Sequence, residues 1–411
     1  MPQVATSTRL AHVRYEIRGT LYERALALEA SGHEVLKLNI GNPGAFGFQV
    51  PAHVREALRE GVAASEGYCH QRGLPQAREA IRRQAIARGA GEVTLDDVFL
   101  GNGVSELIDL ALRALLDPGD EVLVPAPDYP LWSASVVLNG GCAVHYPCAP
   151  EAGFLPDPDE VEALITPRTR ALVLINPNNP TGAVYPESLV RALAELAARH
   201  RLVILSDEIY DGLLYDDARF EPVARHGQET VCLSFGGLSK VHRACGYRVG
   251  WMVLSGAVRR AGGLRHALDL LAALRLCSNV PGQWAVAPAL EGGDTVSALT
   301  QPGGRLYETR RAALEQAAAN PLLSLEPPAG ALYAFPRVDA KRIPGFDDNA
   351  FALELLEREQ VLVVPGSSFN VPYGDHFRLT LLPEAPLMRE AFARIGRVLE
   401  AMVEDRRLRV A

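Results

Sequence analysis

Lysine is nearly missing from this chain of 411 residues: only Lys37, Lys240 and Lys341 stand among 41 basic side chains, the rest being arginine. Arginine serves wherever a surface charge is needed, but a guanidinium is effectively always protonated and cannot form an imine. A lysine kept in this background is therefore worth following. Other things are missing too. The six cysteines, at 69, 142, 148, 232, 245 and 277, include no Cys-x-x-Cys pair and no Cys/His ligand spacing. That argues against a disulfide framework or a zinc motif, and the expectation is of small buried thiols in a reducing cytosol. There is no basic excess, since the net charge is −8, which argues against a nucleic-acid partner. No apolar run is long enough for a membrane span. The first residues carry no apolar core of the kind a signal peptide needs. A soluble, cytoplasmic protein is expected.

What is present is a chain longer than one typical domain, with an ordinary hydrophobic content of 48%,. Short apolar runs at 98–100, 121–124, 171–175, 202–206, 231–235 and 249–254 read as strands. Val104, Leu107, Ile108, Ala111, Leu112 and Leu115 fall on one face of a helix,. A second helix is read over 186–200. Strands alternating with helices imply βαβ units and a mostly parallel sheet. The ends differ. A helix around 21–29 and an extended stretch 35–40 come first, and helices at 305–319 and 351–358 mix with strands at 331–335, 361–364 and 376–381 later. This predicts a large domain over 49–295 and a discontinuous α+β domain made of 1–48 and 296–411.

In an open α/β sheet, ligands bind beyond the carboxyl ends of the strands. Asn176 lies just past 171–175, Asp207 just past 202–206, and Lys240 shortly after 231–235. Three strand ends therefore converge on one crevice. Gly103, Val104 and Ser105 lie where a strand turns into a helix, so their backbone N–H groups can face an anion. Taken singly, each signal has a plain alternative. Asp207-Glu208 could cap a helix, and the prolines and glycine of 176–182 would make a loop anyway. Tyr129 could be a core tyrosine, and Tyr68, Arg18 and Arg378 could be surface groups.

The ordered set of phrases changes those odds. They are LNIGNP at 38–43, GNGVSEL at 101–107, PAPDYPLW at 125–132, NPNNPTG at 176–182, SDEIY at 206–210, SKVHR at 239–243, GYRVGW at 246–251 and QPGGRLY at 301–307. Together they resemble the class I aminotransferase family of pyridoxal-phosphate enzymes, and within it the bacterial alanine transaminases. The resemblance runs from about Arg18 to beyond Arg378. It implies an α/β, aspartate-aminotransferase-like fold of type I. That fold has a mixed seven-stranded sheet in the large domain and a split small domain, and it works as a homodimer.

The resemblance also assigns roles. Lys240 is expected to form the Schiff base with pyridoxal 5'-phosphate and to shuttle the substrate proton. Asp207 should pair with the pyridine nitrogen, and Tyr210 and Asn179 with the phenolic oxygen, with the Asn179–Pro180 bond expected cis. Gly103, Val104, Ser105 and Arg248 should hold the phosphate, and Tyr129 should stack on the ring. Family members usually have a polar residue where Gly237 stands, so one phosphate contact is expected either to be missing or to come from Ser239. Tyr68 should reach the phosphate across a dimer interface. Arg378 is the expected clamp for the substrate α-carboxylate, with the Gly41 backbone beside it.

Selectivity is the least legible feature. Tyr15 and Arg18 precede the first helix and could fold over the pocket as a lid, with Arg18 taking a second carboxylate. Val241-His242 is not the Thr-Tyr expected after the lysine, and His242 could touch the phosphate site or face solvent. The implied reaction is transfer of the amino group of L-alanine to 2-oxoglutarate in two half-reactions. Alternatives are another amino donor (aspartate, branched-chain or aromatic), a C–S lyase, or a non-catalytic regulator that senses cofactor. The last is disfavoured by the complete catalytic set.

Overall fold

Each of the six central apolar runs becomes a strand, and a seventh joins them at the edge. The computed structural model describes residues 4–410, with side chains as far as Glu404. Its largest sheet, among the described residues, has seven strands. Their order is Val98–Gly101, Gly250–Gly256, Val231–Gly237, Val203–Asp207, Thr169–Ile175, Glu121–Ala126 and Cys142–Pro147. The last five pair in parallel, while Gly250–Gly256 runs antiparallel to both of its neighbours. The sheet is therefore mixed, as expected.

Side-chain alternation explains why helices cover both faces. Val122, Val124, Ala171, Val173 and Ile175 belong to one buried cluster, with Leu107, Ile108, Ala111 and Leu112 of the helix Val104–Leu115. Their neighbours Leu123, Leu172 and Leu174 belong to another, with Val190, Leu193 and Leu196 of the helix Glu187–Arg199. A strand buried on both sides reads as a continuous apolar run, which is why these were visible in the sequence. Cys142–Pro147 was not, because as an edge strand it is mostly half-buried or exposed and so carries a weaker pattern.

A separate core joins Leu38 to residues of the C-terminal part, among them Phe351, Leu355, Phe377, Leu379 and Phe392. Leu36–Lys37 pairs in parallel with Val361–Leu362, tying the N-terminal segment to this part. The expected strand over 361–364 is divided: Val361–Leu362 pairs one way, and Val364–Pro365 pairs with Phe377–Thr380. The expected strand over 331–335 shortens to Tyr333–Ala334, since Ala331 adopts a φ of 60° that ends the extended run. Tyr333–Ala334 also pairs with Phe377–Thr380, and this small sheet carries Arg378.

Candidate active site

A cavity of about 690 Å³ opens beyond the carboxyl ends of the central strands. The sheet brings Asp207, Asn179, Tyr210 and Lys240 to it, and the small sheet brings Arg378. Tyr15, Arg18, Gly41, Val104, Ser105, Tyr129, Ser239 and Arg248 complete the wall among the residues singled out from sequence. Tyr68 is not brought here: it is 81% exposed on the protein surface.

Lys240 follows the strand Val231–Gly237 by one turn. Its Nζ donates to the Gly41 carbonyl at 2.7 Å and lies 5.9 Å from the centre of the Tyr210 ring. The Gly41 carbonyl thus faces the lysine. Asp207 ends its strand and is buried. Its Oδ2 accepts from the indole Nε1 of Trp132 at 3.0 Å and its Oδ1 from the backbone N–H of Ile209 at 3.3 Å. Burial pushes its pKa up, against the pull of those two bonds and of the Lys240 charge. A buried carboxylate raised by desolvation is one that a nearby cation would stabilise.

Arg378 is 1% exposed and reaches the cavity between two other groups. Its Nη1 donates to Asn179 Oδ1 at 2.9 Å, its Nη2 donates to the Asn39 carbonyl, and its buried Nε has no partner. That spare donor suits a carboxylate. Because Asn179 Oδ1 is taken by Arg378, its Nδ2 is left as the donor toward the cavity.

An anion cradle lies at the other end. Gly103 is the N-cap of the helix Val104–Leu115, at φ 84° and without a side-chain cap, so the first-turn N–H groups keep their donors,. A Cβ at Gly103 would overlap the Arg248 guanidinium, which the chain holds by donation to the carbonyls of Cys245 at 3.1 Å and Asn102 at 3.3 Å. Ser239 lines the same cavity. Gly237 is glycine for packing: a Cβ there would sit 2.9 Å from the Val249 carbonyl oxygen.

The sequence reading did not assign Trp132, Tyr333 or Cys245 to the site. Trp132 stood in a quoted phrase but showed no role, because its partner Asp207 is 75 positions away. Tyr333 and Cys245 both line the cavity; Tyr333 lies outside the recognised phrases, and Cys245 stands just before GYRVGW without itself suggesting a role. The cysteines differ from expectation. Cys148 and Cys232 are buried, Cys142 is exposed, and the other three are partly buried. His242 is half-buried and is not on the cavity wall. Burial outweighs the nearby Asp211 carboxylate and pushes its pKa down to about 4.

The family model for aminotransferase class I and II matches residues 33–395. The chain belongs to this family. It is similar to the glutamate–pyruvate aminotransferase of Escherichia coli, at 47% identity over 399 residues, covering 97% of this chain and 98% of that protein. It is similar also to an alanine aminotransferase of Mycobacterium tuberculosis, at 46% identity over 396 residues, covering 96% and 92%. A crystal structure of an aminotransferase from Escherichia coli superposes with a TM-score of 0.95 at 47% identity, covering 97% of this chain and 99% of that one. The fold is that of the aspartate-aminotransferase type, and the aminotransferase is an enzyme acting on amino acids and keto acids.

Proposed function

We propose that this aminotransferase is an alanine transaminase that uses pyridoxal 5'-phosphate. It converts L-alanine and 2-oxoglutarate to pyruvate and L-glutamate. The observation that carries it is one cavity lined by a lysine, a buried aspartate, an arginine with a spare donor and an anion cradle. The likeness to the two alanine-type relatives supports the choice of donor.

The donor set fits that cofactor. Val104, Ser105, Ser239 and Arg248 would hold its phosphate, and Asp207 its protonated ring nitrogen. Tyr210 and Asn179 would hold the phenolic oxygen, Tyr129 the ring face, and Lys240 the aldehyde carbon. Bound there, the cofactor supplies an acceptor for the amino group and an electron sink for the substrate Cα.

The remaining work belongs to the chain. Arg378 fixes the α-carboxylate, which sets the direction of the Cα–H bond. The Lys240 amine, once free, would accept the substrate α-proton at Nζ and give it up again as the amino group is transferred. In its charged form, which the Trp132 and Ile209 hydrogen bonds favour, the buried Asp207 would attract a protonated ring nitrogen with little screening by solvent. Tyr15 and Arg18 stand at the cavity wall as a cover, Arg18 meeting the second carboxylate of glutamate.

We also propose a homodimer in the cytoplasm. Tyr68, Leu274 and Leu276 are exposed by 81%, 75% and 55%. Their segments meet where Arg275 donates to the Gln71 carbonyl at 3.4 Å and Gln71 to Asp269 at 3.2 Å. This surface would seat the partner, and Tyr68 would reach its phosphate site. The division into 49–295, and 1–48 with 296–411, is proposed on the same footing. The separate core built from Leu38 and the C-terminal part supports it.

The test is a half-reaction. Cofactor-loaded protein is mixed with L-alanine without a keto acid, and the cofactor spectrum and pyruvate are followed. One pyruvate per site, reversed by 2-oxoglutarate, is expected. Conversion by glutamate but not alanine would discard the donor, and continuous product without an acceptor would indicate a lyase. Lys240→Ala should abolish turnover with the fold intact.

A further inference from the structure

Tyr333 lies in a stretch that the sequence marks only as a strand, yet its side chain touches several working groups. Its pairing with Thr380 sets it beside Arg378 on the small sheet. The Arg378 guanidinium carbon lies 4.3 Å from the centre of the Tyr333 ring and 5.0 Å from that of Phe369. The Tyr333 hydroxyl accepts from the Tyr210 hydroxyl at 3.2 Å, and the two rings meet edge-on at 78°. The same hydroxyl lies so close over Gly41 that a Cβ there would overlap it. Gly41 is the residue whose carbonyl holds Lys240.

One side chain thus joins the carboxylate clamp, a residue expected to hold the cofactor, and the glycine whose carbonyl accepts from the lysine. Its environment sets it apart from its neighbours. Burial raises the pKa of Tyr129 and Tyr210 well above the ordinary phenol range. Burial acts on Tyr333 in the same sense, but the charges of Lys240 and Arg378 and the Tyr210 hydrogen bond together outweigh it, so its pKa is lowered. The ionisable groups facing it come from several elements. They are Lys240 after Val231–Gly237, Arg378 in Phe377–Thr380, Tyr210 after Val203–Asp207, Cys245 of the turn Cys245–Tyr247, and Tyr129. Cys245 acts in the opposite sense to the two cations.

We propose that Tyr333 is a positioning residue of the transamination site. Its ring seats Arg378 for the α-carboxylate, and its hydroxyl keeps Tyr210 and the Gly41–Lys240 contact in register as the lysine amine leaves and returns. The proposal rests on the transaminase reading. It requires two separable effects, one from the ring and one from the hydroxyl.

Tyr333→Phe keeps the ring and removes the hydroxyl, and Tyr333→Leu removes both. In Tyr333→Phe, kcat is expected to fall about tenfold, the size of one lost hydrogen bond, with KM for the amino donor within about twofold. The alkaline side of the kcat–pH profile should change shape. In Tyr333→Leu, KM should also rise about tenfold, because the guanidinium loses its aromatic seat. Thermal unfolding of both variants checks that the fold is kept.

A readout free of substrate and cofactor accompanies these. Tyrosinate absorbance of the apo-protein should show a phenol ionising below the ordinary value of about 10, and Tyr333→Phe should lack it. Identical titrations of wild type and Tyr333→Phe would overturn the proposal. So would a Tyr333→Phe enzyme with wild-type kcat and pH profile. The kinetic comparison is run with L-glutamate as well as L-alanine, so a wrong choice of donor would show as inert alanine in every form, wild type included.

Discussion

The indole N–H of Trp132 donates to Oδ2 of Asp207 at 3.0 Å, and the same indole meets Phe235 edge-on at 5.5 Å. The bond opposes the burial that pushes the Asp207 carboxyl up. Without it, Asp207 would be a weaker partner for a protonated ring nitrogen. Trp132→Phe keeps an aromatic ring in place and removes the donor. The dissociation constant for pyridoxal phosphate is expected to rise about tenfold, measured by fluorescence titration of the apo-protein. Unchanged affinity would mean that the bond contributes nothing to cofactor binding.

Arg378→Lys keeps the charge and loses the planar fork. If Arg378 holds the α-carboxylate, which every donor has, KM should rise by about one to two orders of magnitude for L-alanine and L-glutamate alike. Cofactor affinity should stay near wild type. A loss confined to glutamate would place Arg378 at the side-chain carboxylate instead.

The cradle of Arg248 and the helix Val104–Leu115 predicts a ligand-dependent loss. Arg248→Gln should weaken pyridoxal phosphate by about tenfold or more, through loss of a charge-assisted contact. It should leave phosphate-free pyridoxal, added as the cofactor analogue, unaffected. Equal losses for both would show that Arg248 supports the fold and not the phosphate.

Glu208, next to Asp207, points away from the cavity into a buried pocket. Its Oε1 accepts from the hydroxyls of Ser206 at 3.0 Å and Ser234 at 3.3 Å. Burial, only partly offset by the nearby Arg88 charge, pushes its pKa up to about 7. The folded protein therefore binds a proton more tightly there than the unfolded chain, whose glutamate titrates near 4.3. The contribution to stability is fully present below that value and is lost as pH rises through about 7. Glu208→Gln, neutral throughout, should be more stable than wild type at pH 8, by on the order of 2 kcal/mol. Little difference is expected at pH 4. Calorimetric unfolding at the two pH values checks the sign, and a Gln variant less stable at pH 8 would contradict it.

The two kinds of pattern in this chain were legible to different degrees. Strands buried on both faces, such as Thr169–Ile175, announce themselves as apolar runs, and the helix Val104–Leu115 by its spacing. Cys142–Pro147 is half open to solvent and carries no such run. The expected strand 361–364 was divided by pairing with two different partners, a choice made by tertiary neighbours. Lys240 and Asp207 could be grouped from sequence because the carboxyl ends of neighbouring parallel strands face one crevice. Asn176, grouped with them on the same ground, instead accepts from the Tyr185 backbone N–H at 2.9 Å, and Asn179 of the same loop lines the cavity. Tyr15 and Arg18 do reach the cavity wall, although nothing in their spacing requires it. Tyr68 lies on the surface of the single chain, and its expected role across a dimer interface would need a second copy.

By itself, the sequence determined the family, the alternating strands and helices, and the identity of the groups at the strand ends. These depend on local periodicity and on motifs a few residues long. Only the tertiary structure decided which distant groups meet. Trp132 finds Asp207 across 75 positions, Arg378 finds Asn179 across 199, and Tyr210 finds Tyr333 across 123. Such contacts are set by how the sheets and the C-terminal part pack, and a hydrogen bond between residues so far apart leaves no spacing in the chain to be read.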